Sequence, residues 1–258
     1  MYQQPSGYEA AGQYDSKYAY DPEMGYGKTE EEGGYATFME KQVRQGFIRK
    51  VFSILAVQLL VTFSCAIGFA SSAPLKAYVS QNMWPVYVAF PATFGSMIGL
   101  ICCGDLHRRF PHNYCLLGVF TLAESYLVGV CTLAYDTQTV LLAVAITGVI
   151  TVGLVAYAFQ TKYDFTTMGG VLISALFGLI AFSFVLMFLP YNKIVNVAFS
   201  AVGAFLFSCY LVVDVQMLME GKRIQLSPDD YVLAAMNLYL DILNLFLYIL
   251  QILGESQR

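Results

Sequence analysis

The sequence predicts an all-α membrane protein with seven transmembrane helices, and three observations lead there. Of 258 residues, 57% are hydrophobic and 12% charged, with a mean hydropathy of +0.58, against roughly 45–50% and 25% in ordinary soluble domains. The charges are displaced toward the N-terminus: the first 50 residues hold six Lys or Arg and eight Asp or Glu, the next 208 only eight and ten. Beyond position 50 the apolar residues fall into seven runs. Each is long enough for a hydrocarbon core about 30 Å thick, which takes about 20 residues of helix. This balance excludes a water-soluble enzyme.

Residues 1–42 are expected to form a disordered cytosolic tail. The first 40 positions carry seven tyrosines, six glycines and the acidic run Glu30, Glu31, Glu32, with few aliphatic side chains to bury. The first apolar run starts near Val51, too late for a cleavable signal peptide, so it is expected to act as a signal anchor. Residues 43–258 then read as one polytopic domain with spans at 51–73, 84–103, 114–135, 139–161, 168–189, 194–219 and 231–254. Turn-forming residues separate them: Pro74, Gly104 with Pro111, Asp136, Asp164, Pro190 with Asn192, and Gly221 with Pro228. Connections this short force successive helices to pack antiparallel.

Orientation follows from Lys and Arg near the span ends. Lys41, Arg44, Arg49, Lys50, Arg108, Arg109, Lys162, Lys222 and Arg223 share the side of the tail, whereas Lys76, Lys193 and Arg258 lie opposite. The N-terminus is therefore expected in the cytosol, a polarity inverted from that of G-protein-coupled receptors. The net charge of −4 offers no basic surface for phosphates, so nucleic acid is not an expected partner; the lipid bilayer is. Cys65, Cys102, Cys103, Cys115, Cys131 and Cys209 fall in or beside apolar runs and read as small buried residues. Palmitoylation of Cys102 and Cys103 at a membrane edge is the alternative. No cofactor is expected, and His107 and His112 share one loop without partners at metal-binding spacing.

Function is sought where the sequence breaks its own rule. Glu124, Asp214 and Asp241 lie inside spans, and an aspartate near a helix centre costs about 2.5–3.5 kcal/mol on insertion scales unless it finds a partner, water or a proton. The bland alternative is a protonated carboxyl gluing two helices. In the last span Asn237, Asp241, Asn244 and Tyr248 recur at steps of four, three and four, so a polar stripe runs down one face that lipid would not tolerate. In the sixth, Asp214 shares a face with Tyr210, Phe207 and Gly203, and the glycine lets a neighbouring helix approach. If the two aspartates meet, they titrate as a unit and form a pH sensor. Arg108 and Arg109 are candidate cations to hold them when charged, against the ordinary reading of membrane-edge anchors. Ser227, Pro228, Asp229 and Asp230 read as a helix start.

Residues 227–250, SPDDYVLAAMNLYLDILNLFLYIL, resemble the C-terminal signature of the Bax inhibitor-1 family. The segments VRQGFIRKVF at 43–52, CCGD at 102–105 and FQTKYDFT at 159–166 join it, and together they are similar to the lifeguard and Golgi anti-apoptotic protein branch over residues 43–254. The resemblance implies a central C-terminal helix wrapped by two three-helix layers. It also implies a pH-sensitive calcium leak in endoplasmic reticulum or Golgi membranes that lowers stored calcium and suppresses cell death. The family's paired aspartates fall on Asp214 and Asp241, which would also meet calcium transiently; its arginine latch falls on Arg108 or Arg109. Some models of the family make the final segment re-entrant.

Glu124, Asn237, Asn244 and Tyr248 are the remaining candidates for an ion path. Three other classes compete. A death-suppressing interaction protein would contact death-regulating proteins or calcium channels and transport nothing itself. A proton-coupled transporter would use Glu124, Asp214 and Asp241 as a relay. An intramembrane aspartyl protease also pairs aspartates on neighbouring helices, but bulky Leu238, Tyr239 and Leu240 precede Asp241 where substrate backbone would have to approach.

Overall fold

The computed structural model describes residues 30–102, 108, 110–219 and 222–257. The chain divides into an N-terminal unit, Met1–Glu40, and a membrane unit, Lys41–Arg258. Of the tail expected over residues 1–42, residues 1–29 lie outside the described residues and residues 30–42 are helical.

In the membrane unit the helices are α1 (Lys41–Ser71), α2 (Ala73–Gln81), α3 (Trp84–Cys102), α4 (His112–Thr132), α5 (Thr137–Gln160), α6 (Gly169–Leu186), α7 (Lys193–Met217) and α8 (Tyr231–Gln257). Short 3-10 turns, Phe165–Met168 and Pro228–Asp230, lead into α6 and α8. Among the described residues, seven of these helical segments are long and apolar enough to cross a membrane, matching the seven expected spans. The eighth, α2, is unexpected. Pro74, read as a turn, sits in its first turn, and the Ser72 side chain caps it by accepting from the Leu75 amide at 3.4 Å. One proline thus follows the end of a helix and opens the next, because its missing N–H is harmless only in a first turn. Asn192 caps α7 in the same way, accepting from the amides of Ile194 and Val195 at 3.0 and 3.3 Å.

α8 is the core of the unit. Two thirds of its most apolar window is buried (67%), against 11–44% in the other six spans, and Met236, Tyr239, Ile242, Phe246 and Leu250 on several of its faces are all enclosed. At 27 residues it is an uninterrupted helix about 40 Å long, more than a membrane crossing requires. It meets α1, α4, α5 and α7, with α3 packed on α4 and α6 on α7. The outer surface is as apolar as the inside: Val149, Val152, Phe177 and Phe205 are largely exposed, a surface that suits acyl chains and not water.

The cysteines correct one expectation. Cys102, Cys115 and Cys131 are exposed, Cys65 and Cys209 are half-buried, and Cys103 lies outside the described residues. Small apolar side chains seek the interior of a soluble protein to escape water. In lipid that drive is missing, so the outside of a bundle accepts them equally well.

α1, α4 and α8 are joined by buried hydroxyls. Thr62 Oγ1 lies 2.8 Å from both Ser125 Oγ and Tyr239 Oη, donates to or accepts from each in turn, and reaches the Gln58 carbonyl at 2.9 Å. Gln58 Nε2 donates to Thr121 Oγ1 at 2.9 Å, and Thr132 Oγ1 reaches the Ala66 carbonyl of α1 at 3.0 Å. Interhelical bonds of this kind contribute about 0.6 kcal/mol on average and up to about 1.7. Tyr239→Phe keeps the ring and removes one such bond, while Thr62 keeps its other partners. The expected result is a loss of about 1 kcal/mol of unfolding free energy in detergent titrations, with the helical signal of the folded state unchanged.

Candidate functional site

The antiparallel contact of α7 with α8 brings the two predicted aspartates together. Asp214 lies three residues before the end of α7 and Asp241 ten residues after the start of α8. Their unequal distances from the helix ends are reconciled by the connecting loop, which first folds back so that the Leu226 amide donates to the Met217 carbonyl at 2.9 Å. α8 therefore starts beyond the end of α7. Both carboxyls are buried, with 9% and 6% of the residues exposed, and they lie close enough to interact directly. Two carboxylates have no proton to donate, so this contact is a hydrogen bond only when one of the two is a carboxylic acid. Asp241 Oδ2 has no hydrogen-bond partner, nor has the buried hydroxyl of Tyr210 on the same face of α7. Tyr210 lies near enough to feel the charge of both aspartates.

The rest of the stripe on α8 runs away from this pair. Asn237 is half-buried. Asn244 turns its amide back onto its own helix, donating to the Leu240 carbonyl at 2.8 Å. Tyr248 lies flat against Gly203 of α7: a Cβ placed on that glycine would stand 2.5–2.7 Å from three ring carbons. The ring is stacked on Phe207 with centroids 5.9 Å apart, and meets Phe199 edge-on at the same separation. Glu124 is not part of this seam. It faces α3, beside the buried Thr93 hydroxyl.

Residues from α1 and from two other loops hold the connection between α7 and α8. Ser227 caps its 3-10 turn as expected, accepting from the Asp229 amide. Arg108 places Nε 2.8 Å from Asp230 Oδ1, at the entry to α8; Arg109 lies outside the described residues. Arg44 of α1 donates to the Leu226 carbonyl at 2.7 Å and to Gln225 Oε1 at 2.8 Å, and the Lys50 ammonium sits 3.3 Å over the ring of Tyr231. From the other side, Asp164 accepts from the amide and hydroxyl of Thr166 through Oδ1 and from the Arg223 amide through Oδ2. Lys222 and Gln216 both donate to the Tyr163 carbonyl, and Gln216 Oε1 accepts from the Phe165 amide at 2.8 Å. In the sequence Arg44 reads only as an anchor and Asp164 only as punctuation. The signal available for them is that both lie in the segments 43–52 and 159–166, on which the family resemblance rests.

Residues 44–258 match the family model described as "Inhibitor of apoptosis-promoting Bax1". The chain belongs to the Bax inhibitor-1 family. It is 31% identical to human Protein lifeguard 3 over 245 residues, covering 92% of this chain and 78% of that one. It is 32% identical to mouse Protein lifeguard 3, with 90% and 79% covered, and 37% identical to mouse Protein lifeguard 4 over 217 residues, with 84% and 87% covered. These relationships, with the seven apolar helices, identify a multi-pass membrane protein of a family described as inhibitors of apoptosis.

The Asp164 clasp has a definite pH dependence. The Thr166 hydroxyl first, then the Arg223 amide and the Lys222 charge, hold the Asp164 carboxyl below its ordinary value of 3.8. A depressed carboxyl stabilises the fold fully above its unfolded value and loses that contribution as pH falls through the folded one. Hydrogen exchange at the Arg223 amide, corrected for intrinsic rates, is expected to stay flat from pH 8 to about 5 and to rise below about 4, where ordinary carboxylates titrate. Asp164→Asn is expected to raise it at every pH and to flatten the profile.

Proposed function

We infer that this protein is a passive calcium leak of endoplasmic reticulum or Golgi membranes, with its N-terminus in the cytosol, that lowers stored calcium and thereby restrains apoptosis. The single observation that carries the reading is the buried, closely interacting pair Asp214 and Asp241, with Asp241 on the most enclosed helix of the bundle. Ionisable groups in a membrane are retained for ion or proton traffic far more often than for stability, and an all-oxygen carboxylate site suits a hard cation such as calcium. Protonation supplies the gate: one shared proton joins α7 to α8, and a second charge on the pair drives the helices apart. Arg108, paired with Asp230 in the turn that leads into α8, is the cation this reading assigns to that charge, with Arg109 as its alternative in the sequence. The excess of Lys and Arg on one face supports the cytosolic placement of the N-terminus. Asn237, Asn244 and Tyr248 continue the path along α8, and Glu124 is a separate acid between α3 and α4.

Liposomes containing the purified protein are expected to release calcium passively at a rate that depends on pH. Asp214→Asn and Asp241→Asn should each change that rate several-fold and flatten its pH profile, because asparagine removes the titrating proton but keeps the size of the side chain. Flux and profile unaltered in both variants would refute the gate. Protection of cells that survives both substitutions would favour direct contact with death-regulating proteins.

A further inference from the structure

Beyond the aspartate pair, Tyr248 packs across the seam between α7 and α8. Tyr248 follows Asp241 by seven residues, so it lies about 10.5 Å farther along the same face of α8. On α7, Phe207 precedes Asp214 by seven residues and Gly203 by eleven, which places them opposite Tyr248 in an antiparallel pair. Gly203 is there for the ring: any larger residue would put a carbon 2.5–2.7 Å from Tyr248 Cζ, Cε1 and Cε2. Phe207 stacks on one face of the tyrosine and Phe199 abuts it edge-on. Asn244, one turn nearer the aspartates, commits its amide to the Leu240 carbonyl. A cation that leaves the carboxyl pair along this stripe therefore meets an aromatic stack seated on bare backbone.

We propose that Tyr248, seated on Gly203, is the plug that closes the ion path between the aspartate pair and the membrane face opposite the N-terminus. This rests on the leak reading. The aspartates set when α7 and α8 separate, and the tyrosine sets how much passes once they do. The ring excludes ions by filling the seam and by offering no oxygen ligands there except its own hydroxyl. The seat is specific to a flat ring on a residue without Cβ, so the two positions act as one device.

The test is a double-mutant cycle with a second, flux-independent readout. In proteoliposomes of the full chain, Tyr248→Ala is expected to raise calcium efflux at least about threefold. Tyr248→Phe should raise it far less than Tyr248→Ala, since the ring still fills its seat. Gly203→Ala should raise efflux by forcing the ring out, and should add nothing when Tyr248 is already alanine. Aqueous access is measured separately with Asn244→Cys and a membrane-impermeant thiol reagent, the adduct being located by mass spectrometry. Residue 244 should react about tenfold faster in Asn244→Cys/Tyr248→Ala than in Asn244→Cys alone. Faster labelling without any calcium flux in any variant would refute the leak and leave Tyr248 as a seal against water alone, not an ion plug. Calcium flux with labelling and rate indifferent to Tyr248→Ala would refute the plug and leave the leak standing. Tyr248→Ala relieves packing without inserting bulk, so its two readouts decide the proposal even where Gly203→Ala folds poorly.

Discussion

Two carboxyl groups that touch inside a hydrocarbon-bounded bundle cannot both carry charge cheaply, and α8 is arranged around that constraint. Desolvation alone costs each ionised group several kcal/mol, so the helix bearing Asp241 has to be the one farthest from lipid. It is, by a wide margin over the other spans. Centrality then dictates the rest of its composition. A helix enclosed on all sides can carry apolar bulk on most faces, as at Met236, Ile242 and Phe246, provided its polar atoms are met by neighbours. Tyr239 is met by Thr62 of α1, and Asp241 by Asp214 of α7.

Packing small against large makes those meetings possible. Without a hydrophobic drive between helices in lipid, close approach has to come from shape. Gly203 receives Tyr248. At the far end of α8, Gly254 receives Tyr135 from the turn after α4, where a Cβ would run into the ring. The buried Glu255 beside it is bonded by the Tyr191 hydroxyl from the turn before α7. The central helix is thus positioned by tyrosines at its middle and at its end.

Spans and the aspartate pair were legible in the sequence because each breaks a strong local rule. Twenty apolar residues in a row admit one reading in a membrane protein, and an aspartate among them demands a partner. The stripe of Asn237, Asp241, Asn244 and Tyr248 declared its shared face by spacing alone. Other features had no such signature. α2 was hidden because Pro74 and Ser72 serve a turn and a helix start equally well. The exposure of Cys102, Cys115 and Cys131 was hidden because cysteine habits come from soluble proteins. Glu124 was grouped with the aspartates as a third intramembrane acid, yet which face of α4 meets α3 is set by packing that no periodicity reveals. The contacts that Arg44 and Asp164 make with the α7–α8 connection were illegible for a different reason. A polar residue at the membrane edge has many equivalent partners, and only the fold chooses among them.

Those loop contacts also account for why segments far apart in the chain carry the family resemblance together. Residues 43–52 supply Arg44 and Lys50, residues 159–166 supply Tyr163, Asp164 and Thr166, and all of them converge on the connection that ends α7 and starts α8. Gln216 is the mechanical link. Fully buried and only two residues beyond Asp214, it is bonded at both ends of its amide to the backbone of the turn before α6. Any rotation of the last turn of α7 that would carry Asp214 away from Asp241 has to break those two bonds or drag that turn with it. At about 1 kcal/mol for each net bond, this restraint is comparable to what a single proton on the pair contributes per pH unit. In the proposed leak, a carboxyl pair set against a clasp of similar strength is the balance that would let one proton decide the position of a helix.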